Sequence, residues 1–212
     1  MAARLIVIAA GVAVLLAGCG TPPMTLGPSP QPPPSSRSAA PAPSTRPPAL
    51  APKAVAPGLA QFHDPGKVTY SKGIAYCAAR ESGQLPSPFC TPGSTDPAVT
   101  QADIGSTICR TGWTATVRPP ASETEHAKFA VAYPAYGLPV TLVSELDHLV
   151  PLELGGSNDI TNLWPEAGKV PNPKDTVENA LRAAVCARKV TLGAAQDAIA
   201  RDWLTAEAVL HV

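Results

Sequence analysis

From Gly20 to about Ala60 the chain is built mostly of Pro, Ala and Ser, and this stretch decides where a fold can form. It holds about half of the 26 prolines and almost no aromatic residues. A run such as PSPQPPPSSRSAAPAPSTRPPALAP cannot bury enough apolar surface to offset the entropy of ordering. It reads as an extended, semi-rigid tether, spanning on the order of 100 Å at ~3.1 Å per residue. A core is therefore confined to residues 62–212, enough for one ordinary domain. No internal repeat is visible.

Ahead of the tether lies a targeting segment. Arg4 supplies a short positive region, Leu5 to Leu16 is apolar throughout, and small Ala17 and Gly18 follow. The apolar run is too short to cross a bilayer comfortably, which suits an ordinary signal peptide or a short anchor. Leu16-Ala17-Gly18-Cys19 resembles the bacterial lipobox, and the resemblance implies that Cys19 is lipidated and begins the mature chain. Several acyl chains on one cysteine hold a protein stably, since each buried methylene contributes about 0.8 kcal/mol. The expected organisation is a signal peptide over 1–18, lipidated Cys19 and tether over 19–61, and a domain over 62–212. Its expected location is the outer face of a bacterial membrane.

Four cysteines remain in the domain: Cys77, Cys90, Cys109 and Cys186. An even number in an exported chain most simply means two disulfides. A zinc site is the rival reading, but the chain has no C-x-x-C pair and the spacings are wide. Sequence leaves three pairings open, and the reading leans to Cys77–Cys90 and Cys109–Cys186.

Charge argues against tight nucleic-acid binding. All 16 acidic residues follow residue 62, whereas four of the 16 basic ones precede it, so the domain carries 12 − 16 = −4. Non-specific DNA binding normally shows a basic patch, so any nucleic-acid substrate is expected to bind weakly and with salt sensitivity.

The pattern predicts an α+β domain. Residues 66–120 are rich in turn chemistry, and STICRTGWTATVRPP alternates as one or two strands do. Ser122-Glu123-Thr124-Glu125 has a capping-box pattern, opening a short helix that Pro134 and Gly137 close. VTLVSELDHLVPLELGG reads as a β-rich stretch ending in a glycine turn, and NLWP as a second strand. A helix follows from Lys174, with Val177, Leu181 and Val185 on one face, and another starts near Thr191.

One constellation carries chemistry: Asp147-His148-Leu149-Val150-Pro151-Leu152, Gly155-Gly156, then Asn162-Leu163-Trp164-Pro165. It resembles the HNH nucleases of the ββα-metal class, whose signature reads Asp-His, Pro-Leu, Gly-Gly and Asn-Leu in this order and spacing. A wider likeness, to small exported HNH proteins, covers most of the domain from Thr91 onward. The resemblance implies a ββα-metal core, a loop-rich disulfide-bearing N-terminal extension and C-terminal helices. It further implies metal-dependent hydrolysis of phosphodiester bonds outside the cytoplasm, in DNA more than RNA. His148 becomes the general base, Asp147 a ligand to a divalent ion (Mg²⁺ first, Mn²⁺ second), and Asn162 the brace between two strands.

The residue types suit that chemistry. A histidine titrates near pH ~6.5, so activity is expected to rise through pH ~6 to 7. A carboxylate supplies a hard oxygen for Mg²⁺. Neighbours on a regular strand point to opposite faces, so the strand is expected to end or distort at Asp147-His148. The chain departs from the family at the third signature position, where a helix histidine normally ligates the metal. Asn172 is the expected substitute, with Asp175 next and Glu178 nearby. Lys174 either contacts phosphate or solvates the helix start. Trp164 reads as core, Glu145 and Glu153 as solvated strand residues, and His63, His126 and His211 as surface residues. The incomplete ligand set and acidic domain support a second reading, a catalytically inert HNH-fold lipoprotein that binds a cell-envelope partner.

Overall fold

A computed structural model describes residues 58–212. The expected signal peptide, the expected lipidation site Cys19 and nearly all of the expected tether lie outside the described residues. The domain is α+β, with two small sheets, several helices and two disulfides.

Strands β1 (Ala60–Gln61) and β2 (Ser94–Thr95) pair in parallel, with Ala60 opposite Ser94. Leu59, ahead of the expected domain start at residue 62, packs against the main core. Helices α1 (Trp113–Val117), α2 (Ala121–His126) and α3 (Tyr133–Tyr136) follow, the last two joined by a π-helical stretch over Ala127–Ala132. Strand β3 (Ser144–His148) then pairs antiparallel with β4 (Leu163–Ala167), in a register running from Ser144–Ala167 to His148–Leu163. Helices α4 (Pro173–Cys186), α5 (Leu192–Asp202) and α6 (Ala206–Leu210) complete the chain.

Local chemistry explains these elements. Asn172 caps α4 by accepting from the Lys174 and Asp175 amides, while Asp175 accepts from the Asn172 amide. Pro173 fits the first helical position, where its missing N–H costs nothing. Leu181 and Val185 are buried together on one face of α4, with Val177 partly covered. Thr191 caps α5 through the Ala194 amide. The faces of α4 and α5 meet Val150, Leu154, Trp113 and Trp203 in the largest core. A smaller core joins Leu146, Ile160 and Leu163 to Ala127.

Cys109–Cys186 ties the turns before α1 to the end of α4, and Cys77–Cys90 closes a local loop. Two disulfides fit an oxidising compartment outside the cytoplasm. Among the described residues, no helix is long and apolar enough to cross a membrane.

The region before β3 departs from the sequence reading in two places. STICRTGWTATVRPP forms turns and α1 rather than strands: left-handed Gly112 (φ 76°) breaks the chain, and Trp113 and Val117, one helical turn apart, face the core. Helix α2 starts at Ala121, so Pro120, which has no side-chain acceptor, takes the cap position and Ser122 falls inside the first turn, while Glu123 accepts from the Val68 amide at 2.6 Å. Pro134 sits in the first turn of α3, and only Gly137 (φ 64°) closes that helix.

The glycine pair after the 3₁₀ turn Leu152–Leu154 is dictated by crowding. Gly155 is left-handed (φ 74°), and a Cβ on Gly156 would lie 1.8 Å from the Val150 carbonyl oxygen and 2.9 Å from Asn162 Nδ2. Backbone and a bonded amide cannot yield as a flexible side chain does. Gly156→Ala should therefore lower stability by about 1–3 kcal/mol or more, read from denaturant unfolding. An unchanged midpoint would contradict this packing.

Candidate active site

The site is built at the end of β3. The ladder stays regular through Asp147 (opposite Trp164) and His148 (opposite Leu163), then the strand stops. The strand ends at the expected place, with no distortion between the two residues. Their side chains therefore lie on opposite faces. Asp147 meets α4, whereas His148 meets the segment that precedes α2.

His148 is buried, and its Nε2 lies 2.9 Å from Asn158 Oδ1. The Asn158 amide nitrogen donates to the carbonyls of Asp64 and Val117, both at 2.9 Å, which turns its oxygen toward the ring. Nε2 must then carry the proton and donate, leaving Nδ1 bare. No hydrogen bond to Nδ1 is formed by the described residues. Burial pushes the imidazole down to about 4, outweighing the hydrogen bond to Asn158 and the Asp147 charge, which raise it. The ring is neutral at pH 7.

His148 and Leu146 form part of the wall of a cleft of about 330 Å³, around which stand the cations Arg118 and Lys128, the carboxylates Glu125 and Glu145, and Thr124. Arg118 is exposed and makes no ion pair among the described residues. It also borders a second cleft beside α4, with Glu153, Asp175 and Glu178, so it stands between the two faces of the strand end. Lys128 donates to the Ser144 carbonyl and lies 5.3 Å from the Phe129 ring. A larger cleft, about 540 Å³, lies away from these residues against Tyr76, Pro134 and Tyr136 and offers no acid–base pair.

On the other face the dominant group is Lys174, which has no exposed surface. Its ammonium donates to Asp147 Oδ2 at 2.8 Å, to the His148 carbonyl at 2.8 Å, and to Glu178. Burial alone would lower its pKa, but the Asp147 and Glu178 charges more than reverse that and keep it charged. Trp164, buried as expected, donates its indole N–H to Asp147 Oδ2 at 3.3 Å. Burial pushes Glu166 up to about 8, and pushes Glu178 up as well, where the Lys174 ammonium opposes it. Glu166 Oε2 is buried without a donor facing it, and a protonated carboxyl that donates to Asp147 resolves that gap.

This arrangement sets a pH dependence for stability. The folded Glu166 holds its proton to about pH 8, whereas the unfolded residue releases it near 4.5. Its contribution is complete below pH ~4.5 and is lost as pH rises through 8. Wild type should therefore be less stable at pH 9 than at pH 6 by on the order of 2 kcal/mol from this residue. Glu166→Gln should shrink that difference in paired unfolding curves, and an undiminished difference would rule out Glu166 as its source.

Asn162 is completely buried. Its Oδ1 accepts from the amides of Val150 (2.9 Å) and Ser94 (3.2 Å), and its Nδ2 donates to the carbonyls of Val150 (2.9 Å) and Ser157 (2.8 Å). The Leu149 amide reaches its backbone carbonyl at 2.8 Å. Asn162 thus clips the loop between β3 and β4 to itself and to β2, and does not line the cleft.

The expected metal ligands are otherwise engaged. Asn172 Oδ1 caps α4, and its Nδ2 contacts Glu145 Oε2 at 3.3 Å. Asp147 Oδ2 is held by Lys174 and Trp164. Among the described residues, no group of three or more His, Cys, Asp or Glu side chains is arranged to hold a metal ion. As placed, this donor set does not fit the divalent ion that the family resemblance implies.

His63 is exposed, and its Nδ1 lies 2.8 Å from Asp96 Oδ1. Two other expectations change. Glu145 and Glu153 are half-buried, and Glu153 Oε1 has no donor. Sequence reasoning gave no role to Asn158, Arg118 or Lys128. Asn158 stood inside the recognised motif, and a buried histidine needs a neutral partner to orient it. No such signal marked the two cations, which are distant in sequence from His148. No protein-family model matches the chain, and no curated protein or solved structure is significantly similar to it.

Proposed function

We propose that the His148 cleft hydrolyses phosphodiester bonds, as the ββα core of an HNH-type nuclease acting outside the cytoplasm, on DNA in preference to RNA. The observation that carries this reading is a neutral His148, with Nδ1 bare, in a cleft where the cations Arg118 and Lys128 stand beside Glu125 and Glu145. Water bonded to Nδ1 loses its proton to the ring as its oxygen attacks phosphorus. Arg118 and Lys128 neutralise the phosphate charge as the bond to the leaving oxygen breaks. The proton gained by Nδ1 balances the one that the leaving oxygen acquires. Asn158 holds the ring in the productive tautomer and accepts from the transient imidazolium, toward which the Asp147 charge is offset by Lys174.

The net acidic domain makes this pair of cations the main attraction for nucleic acid, so binding is expected to be weak and salt-sensitive. One observation favours a second reading, the inert lipoprotein that binds a cell-envelope partner: Asp147, the ligand in the resemblance, is locked in an ion pair. Cleavage of plasmid, linear duplex and RNA by the full-length protein, with Mg²⁺, with Mn²⁺ and with EDTA, separates the two. Cleavage that weakens in Arg118→Ala, in kcat as well as in KM, supports the nuclease. Absence of cleavage in every arm supports the binding protein.

A further inference from the structure

We infer that the ammonium of Lys174 is the resident cation of this site, standing where a ββα-metal centre would hold its divalent ion. The inference rests on reading the strand end as that kind of centre. A hard cation is held by carboxylate and carbonyl oxygens. Lys174 Nζ has such a shell: Asp147 Oδ2 at 2.8 Å, the His148 carbonyl at 2.8 Å, and the Glu178 carboxylate. These come from the strand end that bears the base and from the helix after the second strand.

Placement of the ammonium follows from the chain. Asn172 and Asp175 start α4 so that Lys174 falls in its first turn, beneath β3, and Glu178 follows one turn later. The side chain has no exposed surface. A fully buried ammonium is tolerated only where oxygens surround it, so this shell and this lysine stand or fall together. A divalent ion bound to Asp147 Oδ2 would need the same oxygen lone pairs at close range and would face a fixed positive charge beside it. Asn172, the other expected donor, has its oxygen turned to the helix amides.

Lys174 does not reach the cleft, so it is a positioning residue. It neutralises Asp147 and ties the His148 carbonyl to α4, which sets the height of the imidazole at the cleft wall. Wild type therefore needs no divalent ion to complete this part of the site. Removing the ammonium should leave a pocket of oxygens suited to one.

Mn²⁺ titrated into the full-length protein, followed by electron paramagnetic resonance and thermal shift, tests this without reference to cleavage. Wild type should show no saturable site below millimolar Mn²⁺, and its melting should not respond to EDTA. Lys174→Ala should gain a site at least tenfold tighter than anything in wild type, and Mn²⁺ should raise its melting temperature. Lys174→Met, which refills the space with an apolar chain, should gain none. Stoichiometric Mn²⁺ binding by wild type, abolished by Asp147→Asn, would overturn the inference, and that arm needs no lysine variant to fold. A folded Lys174→Ala chain with no gain in Mn²⁺ affinity would overturn it as well. A chain that cleaves nothing but shows the expected Mn²⁺ pattern loses the nuclease reading and keeps this one.

Discussion

Asn162→Ala should lower the free energy of unfolding by about 3 kcal/mol or more, the largest stability loss expected from a single side chain here. Truncation strips four hydrogen bonds at once and leaves the amides of Ser94 and Val150 and the carbonyls of Val150 and Ser157 without that partner. Each buried backbone group left unsatisfied costs about 1–3 kcal/mol, and relaxation of the loop recovers part of the total. Asn162→Asp should also be destabilised, because it keeps the acceptor but loses both donors and buries a charge. Urea unfolding measures both. A loss under about 0.5 kcal/mol for Asn162→Ala would mean that the loop is held by other contacts. Any fall in activity should track the folded fraction, since Asn162 does not border the cleft.

His148→Ala should lower the rate of phosphodiester cleavage by about 10²–10⁴-fold, the range for loss of a general base, with substrate affinity little changed. The pH profile is the sharper signature. An unperturbed histidine would give a rising limb through pH ~6 to 7. Burial moves the free-protein imidazole to about 4, so the kcat/KM limb should lie near pH 4 and the profile should be level from 6 to 8 as far as this group decides it. A bound phosphodiester anion stabilises the imidazolium, so the kcat limb should sit at higher pH than the kcat/KM limb. A wild-type kcat/KM limb at pH 6.5 would show an imidazole open to water rather than buried against Asn158.

Folding below pH 6.5 is also affected. The unfolded His148 gains a proton there while the folded ring does not, so its contribution to stability is complete above pH 6.5 and lost progressively as pH falls toward about 4. This opposes the trend set by Glu166, whose contribution is lost on the alkaline side.

Much of the architecture was legible because short-range chemistry writes it. Leu181 and Val185 lie on one face of α4, Thr191 caps α5, and the two strands flank the glycine turn. Both leaned-to disulfide pairings occur in the structure. Legibility failed where tertiary contacts override local pattern. Alternation around Trp113 looked like a strand, yet the core takes Trp113 and Val117 from one turn of helix. Ser122 has the pattern of a cap, but the helix starts at Ala121, which puts Pro120 at the cap and Ser122 inside the first turn.

At the site, the motif singles out His148, Asp147 and Asn162, and Asn162 hydrogen-bonds across the loop between β3 and β4. Asn172 was read as a possible metal donor from its place before the helix. The same place makes it the helix cap, and an oxygen that accepts two amides has little left for an ion. Lys174 was weighed as a phosphate contact or a solvated helix start and is neither. Its burial depends on oxygens from β3 that lie 26 and 27 residues earlier, a distance no local pattern reports. Arg118 and Lys128 reach the cleft by the same kind of long-range folding.

The central claim is that His148 is the base of a phosphodiesterase, and single-turnover cleavage of a short end-labelled duplex tests it most directly. Full-length wild type and His148→Ala are compared at pH 7, with duplex affinity measured alongside. The account predicts that wild type cuts the duplex and that His148→Ala binds it equally but cuts at least ~100-fold more slowly. Equal rates for the two chains, or no cleavage of DNA or RNA by wild type, would contradict it.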